Sequence, residues 1–207
     1  MKWRNARESS NVEVSSGRSG GMKLGFGSII IVLVIGLITG KNPLEMLGML
    51  AQMSSIAPTA TQSAPIDPNA PRTEEQEFSA RILGSTEDVW TKIFAANNAK
   101  YPPPTMLLFS GRVQTACGGA SSAVGPFYCP GDHKVYLDTG FFNDMKQKLG
   151  GGGDFAQAYV IAHEVGHHIQ TITGISDKVN AARQRGKAEG AEGLLVRQEL
   201  QADCYAG

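Results

Sequence analysis

His163-Glu164-Val165-Gly166-His167 sets two imidazoles four residues apart, with a carboxylate directly after the first. On a helix, positions i and i+4 stand one above the other on one face, so the two rings can grip a single metal ion. Glu164 is turned roughly 100° further round, where it can reach a water on the metal but not the metal itself. This is hydrolytic chemistry: bound Zn2+ acidifies a water and polarises a carbonyl, and the carboxylate serves as general base. A catalytic zinc takes three protein ligands and keeps one position open. Glu199 is the candidate third ligand. Asp203, one turn later, is the candidate acceptor for the distal nitrogen of a ligand histidine, which fixes the tautomer. Glu189 and Glu192 are rival third ligands in a Gly/Ala-rich stretch. His168, about 100° round from His167, reads as packing or surface. His133, in a turn after Gly131-Asp132, reads as exposed.

These residues need two helices. The first is bounded by the glycine run 150–153, with Asp154 as candidate N-cap and Gly174 at the far end. Phe155, Ala158, Tyr159, Ala162, Val165 and Ile169 fall at helical spacing and predict its apolar face. Leu194 to Tyr205 predicts the second helix and carries Glu199 and Asp203 at i and i+4. Upstream, Thr86 with Glu87 and Asp88 predicts a helix through Asn97, with Val89, Trp90, Ile93 and Phe94 on its inner face. Thr105 to Phe109 and Lys134 to Asp138 predict strands by their β-favourable residues. Val135, Tyr136, Leu137 and Asp138, just before the metal helix, form the candidate substrate strand, because an exposed edge can pair with an extended peptide.

Several stretches resemble one family. They are Thr86 to Trp90, Gly125 to Pro130, Val135 to Asp138, Ala156 to His168 and Glu199 to Gly207. Together they look like the bacterial putative neutral zinc metallopeptidase family of membrane-anchored proteins. The resemblance implies a zincin-type fold, dependence on Zn2+ and endopeptidase activity. Carried over by position, it implies His163, His167 and Glu199 as ligands and Glu164 as base. The chain stops at Gly207, directly after a helical segment, whereas members of such a family continue, so the sequence reads as a fragment.

The N-terminal third reads differently. Leu24 to Gly40 is an uncharged, mostly apolar run of 17 residues between Lys23 and Lys41. That is the short end of a transmembrane span, which flanking lysines can lengthen by snorkelling. Lys2, Arg4, Arg7, Arg18 and Lys23 precede it against Glu8 and Glu13, so the positive-inside rule puts the N-terminus in the cytoplasm. No small-x-small cleavage site follows closely, which favours an uncleaved signal anchor. The expected organisation is therefore a cytoplasmic tail over 1–23, an anchor over 24–41, a flexible Pro/Ala/Ser/Thr-rich linker over 42–73, and a zinc metallopeptidase domain over 74–207 that is periplasmic or extracellular. Cys117 and Cys129 flank a short Gly/Ser-rich loop that a disulfide closes well, which suits an oxidising compartment. Cys204 is expected as a small buried residue.

The net charge of zero implies no nucleic-acid partner. Partners are instead a peptide or protein substrate and the membrane. The expected fold is α+β: a zincin-like domain with a small mixed sheet packed on the active-site helix, and a second helix returning Glu199. Two rival functions stay open. One is a catalytically inactive, zinc-stabilised scaffold tethered to the membrane; the other is a zinc amidase acting on cell-wall peptides.

Overall fold

A computed structural model of the chain describes residues 1–15, 63–65, 72–149, 153–190 and 192–207. Its strands are β1 (Val12–Ser15), β2 (Ser63–Pro65), β3 (Thr105–Phe109), β4 (Arg112–Thr115), β5 (Gly118–Ser121), β6 (Phe127–Cys129) and β7 (Lys134–Asp138). Its helices are α1 (Glu74–Ala96), α2 (Phe141–Leu149), α3 (Asp154–Ile172), α4 (Ile175–Gln184) and α5 (Leu194–Ala206). The chain divides into two units, Met1–Ser16 with Thr61–Gly207, and Gly17–Ala60. All described residues belong to the first. The anchor expected over 24–41 and most of the linker expected over 42–73 lie outside them. Among the described residues, no helix is long and apolar enough to cross a membrane.

The two expected strands form as β3 and β7, which pair in parallel at the centre of a five-stranded sheet of order β2-β1-β3-β7-β6. Both are apolar almost throughout because both of their faces are covered. Met106, Leu108, Val135 and Leu137 pack with Phe78, Ile82 and Leu83 of α1 and with Ile161 and Val165 of α3. The alternate residues Leu107, Phe109 and Tyr136 pack on the other face with Val113 and Cys129. Together these elements make the mixed α+β architecture, a small sheet on the metal helix.

Helix α1 starts twelve residues before the expected cap Thr86. Thr73 and Gln76 close a reciprocal capping box, and Glu74, Glu75 and Glu77 fill the positive first turn. Thr86 sits inside the helix and turns its hydroxyl back to the Leu83 carbonyl. In α3 the cap is Gly153 rather than Asp154, whose carboxylate accepts from the Trp3 indole at 2.9 Å instead. Gly174 ends that helix in the left-handed region at φ 75°, a conformation glycine adopts without strain. Phe155, expected on the apolar face of α3, is 75% exposed.

The largest departure is at the N-terminus. Residues 1–15, expected as a tail, are folded into the domain. β1 runs parallel to β3, pairing Val12 with Met106 and Val14 with Leu108. Trp3 is buried edge-on against Phe78. Of the charges read as flanking the anchor, Arg7 pairs with Glu87 at 2.7 Å and Asp88 at 2.9 Å, and Glu13 with Lys134 at 2.6 Å; Arg18 and Lys23 lie outside the described residues. Buried Glu87 also accepts from Ser9 at 2.6 Å and Asn11 at 2.8 Å. Gly84 makes the crossing possible, since a Cβ there would stand 2.3 Å from the Arg7 carbonyl oxygen.

Candidate metal centre

The metal helix α3 and the return helix α5 are held together by a missing side chain. A Cβ on Gly166 would lie 2.9 Å from the Ala202 carbonyl oxygen, so the glycine lets α5 settle directly against α3. Ala202 lies between Glu199 and Asp203, and this contact delivers both toward the histidines.

His163 Nε2 and His167 Nε2 each stand 3.4 Å from Glu199 Oε2. All three atoms lie within 4.8 Å of one another. The distal nitrogens are tied back. His163 Nδ1 meets Asp203 Oδ1 at 2.8 Å, and His167 Nδ1 meets Gln170 Oε1 at 2.9 Å. A carboxylate only accepts, so His163 Nδ1 carries the hydrogen. The Gln170 amide nitrogen donates to the Gln198 carbonyl at 2.6 Å, so its oxygen faces His167 and Nδ1 carries the hydrogen there too. Both Nε2 lone pairs are thereby aimed at the carboxylate. Two imidazole nitrogens and one carboxylate oxygen are the donor set of a catalytic zinc. Ligands of a tetrahedral zinc at ~2.1 Å stand ~3.4 Å apart, which is the spacing of the two histidine–glutamate edges. The residues fit the ion.

Glu164 is buried beside this cluster. Burial pushes its carboxyl up to about 7; the charge of Glu199 adds to this, while His167 and the backbone N–H of Tyr128 oppose it. Asp203 is held below the usual carboxylate range, first by the Tyr159 hydroxyl, which donates to it at 2.6 Å, and then by His163. An apolar cavity of about 330 Å³ adjoins Tyr159 between α1, α3 and α5, lined among others by Trp90, Phe155 and Tyr205.

This geometry agrees with a comparison of sequences. The family described as "Putative neutral zinc metallopeptidase" matches residues 1–207. The chain belongs to this family. Among similar proteins, the uncharacterized protein YpfJ of Escherichia coli K12 is 41% identical over 216 residues, covering 100% of this chain and 74% of the relative. The uncharacterized protein Rv2575 of Mycobacterium tuberculosis H37Rv is 50% identical over 124 residues, covering 59% of this chain and 39% of the relative. No solved structure matches the chain. The family description and the His/Glu cluster both point to Zn2+ as the cofactor.

The structure brings together His163, Glu164, His167, Glu199 and Asp203. Glu189 and Glu192 are not in the cluster. His133 is exposed, in a left-handed turn at φ 57°. His168 is buried and faces away from the cluster, toward Pro102 and Tyr128. Cys117 and Cys129 form a disulfide. Cys204 is exposed rather than buried, because the small residue facing α3 is Ala202.

The substrate strand needs correction. β7 lies between β3 and β6, and Val135 and Tyr136 are engaged on both sides. The Asp138 carboxylate is occupied by the N–H groups of Gly111 and Gly140. The strand that closes this end of the sheet is β6. Two further partners went unread in the sequence. Gln170 is three residues after His167 and Tyr159 four before His163, so helical spacing alone could have placed both beside the ligands.

Proposed function

We propose that the chain is a membrane-attached, zinc-dependent endopeptidase with Glu164 as general base and His163, His167 and Glu199 as metal ligands. The observation that carries the reading is the pair of Nε2 atoms at 3.4 Å from Glu199 Oε2, with both distal nitrogens tied back and a buried carboxylate alongside. Zinc, when bound, supplies the Lewis acid for the scissile carbonyl and for the attacking water. Glu164 takes the proton from that water as its oxygen attacks the carbonyl carbon. It then delivers the proton to the amide nitrogen as the carbon–nitrogen bond breaks. Asp203 and Gln170 keep the imidazoles in the tautomer that leaves Nε2 free. An extended peptide would lie along β6, whose position at the end of the sheet leaves an edge for backbone pairing.

Residues 24–41 are proposed as the membrane attachment, with residues 1–15 and 72–207 together on one side of the membrane, in an oxidising, extracytoplasmic compartment. The disulfide between Cys117 and Cys129 favours that compartment.

The deciding experiment is Glu164→Gln. The variant should bind one zinc per chain, as wild type does, and lose hydrolysis of a peptide library by at least a thousandfold. Undiminished cleavage by the variant, or a wild type that binds zinc and cleaves nothing, refutes the reading.

A further inference from the structure

Two pairs of residues face each other across the contact between α3 and α5. Tyr159 and His163 stand one turn apart on α3, and Glu199 and Asp203 stand one turn apart on α5. His163 meets both residues of the opposite pair: Nε2 lies 3.4 Å from Glu199 Oε2, and Nδ1 lies 2.8 Å from Asp203 Oδ1. The Tyr159 hydroxyl fills the remaining corner, 2.6 Å from the same Asp203 Oδ1. A carboxylate oxygen only accepts and has two lone pairs, so the phenol O–H and the imidazole N–H both donate to one atom. The phenol is neither a metal ligand nor the base.

The two ligand imidazoles are backed unequally. Behind His167 stands Gln170, fully buried, whose amide nitrogen donates to the Gln198 carbonyl oxygen at 2.6 Å and to Gln201 Oε1 at 3.1 Å. Those bonds give the amide one orientation. Behind His163 stands Asp203, in the last turn of α5, with a side chain that is 43% exposed. Among the described residues its hydrogen-bond partners are His163 and Tyr159. An aspartate with water at hand loses little by exchanging a protein donor for a solvent one, so His163 alone is a weak hold on it. Tyr159 supplies a second hold from the metal helix itself. Its ring lies 6.4 Å from that of His163 and forms part of the wall of the apolar cavity with Trp90 and Tyr205.

We propose that Tyr159 is a positioning residue of the metal centre: its hydroxyl pins Asp203 Oδ1 against His163 Nδ1 and so keeps Nε2 as the free donor facing Glu199. The inference rests on the reading of His163 as a zinc ligand, but the tie itself is measurable without metal. The bond made by one ring nitrogen decides which of the two carries the hydrogen. Without the phenol, Asp203 turns to water for part of the time, and the hydrogen then spreads to Nε2, where it blocks the ion.

Tyr159→Phe keeps the ring and removes only the hydroxyl, so a role confined to packing predicts wild-type behaviour. Long-range proton–nitrogen NMR spectra of the metal-free protein, at a pH where His163 is neutral, read the tautomer directly. The wild type should carry the hydrogen on Nδ1, and Tyr159→Phe should show a mixture of both forms. In competition with a chelating dye, the variant should bind zinc roughly threefold to tenfold more weakly, less than the loss of about tenfold to hundredfold expected for Asp203→Ala. In the Asp203→Ala background, Tyr159→Phe should have no further effect, because the phenol acts through that carboxylate. An unchanged tautomer in Tyr159→Phe overturns the proposal, as does a loss of zinc affinity that adds in full to that of Asp203→Ala. Weaker peptide cleavage with the spectrum and zinc affinity intact overturns it too, by placing the phenol in the reaction itself. Where Asp203→Ala fails to fold, the spectrum of Tyr159→Phe decides. A tautomer that shifts in Tyr159→Phe, in a protein whose wild type binds no zinc, supports the tie and overturns the metal reading instead.

Discussion

At the scale of single residues, a neutral histidine buried against a backbone carbonyl has a consequence for stability. Burial holds the His168 imidazole down to about 4, against an ordinary value of 6.5; the Pro102 carbonyl works in the opposite direction and nearby His133 in the same one. The unfolded chain therefore takes up this proton near pH 6.5 while the folded chain refuses it until about pH 4. Stability from this group is complete above the unfolded value and is lost as pH falls through that window. The whole effect is roughly 3 kcal/mol. Denaturant unfolding of the metal-free protein between pH 7 and 4 should show the decline, and His168→Gln should flatten it. Parallel slopes for the two proteins would count against a buried neutral imidazole. The ligand histidines and Glu164 were legible in the sequence because a helix converts spacing into direction. The surroundings of His168 were not, because its partners, the Pro102 carbonyl and the Tyr128 hydroxyl, come from distant segments that spacing does not reach.

At the scale of elements, the geometry of the metal cluster depends on how closely α5 approaches α3. Gly166 sets that approach, with a would-be Cβ 2.9 Å from the Ala202 carbonyl oxygen and 3.0 Å from its Cα. Gly166→Ala gains about 1 kcal/mol of helix propensity. It also forces backbone to move, because no flexible side chain stands in the way. Since Glu199 and Asp203 flank Ala202, the third ligand and the Asp203–His163 bond shift together. Competition with a chelating dye should show zinc affinity reduced about tenfold or more, with helical content retained by circular dichroism. Unchanged affinity would mean that the helix pair absorbs the methyl group elsewhere. The need for a second helix could be read from the sequence, because two histidines cannot complete a catalytic site. Its contact surface could not, since a glycine within a metal motif reads equally as a spacer. The start of α1 was misread for a related reason: Thr86-Glu87-Asp88 has the composition of a cap, but Glu87 is spent on Arg7, Ser9 and Asn11.

At the scale of the whole molecule, the sequence and the fold disagree about the first fifteen residues, and the fold decides what a membrane could do. Val12 to Val14 are hydrogen-bonded into the sheet beside Met106 to Leu108, and Ser9 N–H donates to the Ala80 carbonyl at 2.9 Å. Arg7 and Glu87 form an ion pair whose acid is buried. These contacts are as integral to the core as those of β7, so the prediction is that residues 1–15 and 72–207 share one compartment. An uncleaved single pass between them, with the N-terminus in the cytoplasm and the site outside, would strip β1 from β3 and take from Glu87 its partners Arg7, Ser9 and Asn11. The local charge count could not register this, because the partner residues lie some seventy or more positions away. A direct measurement follows from two exposed positions, Ser10 and Lys100. In a Cys204→Ser background, Ser10→Cys and Lys100→Cys should react with a membrane-impermeant maleimide from the same side of the membrane in intact cells. Labelling from opposite sides would show that β1 does not join the sheet in the cell.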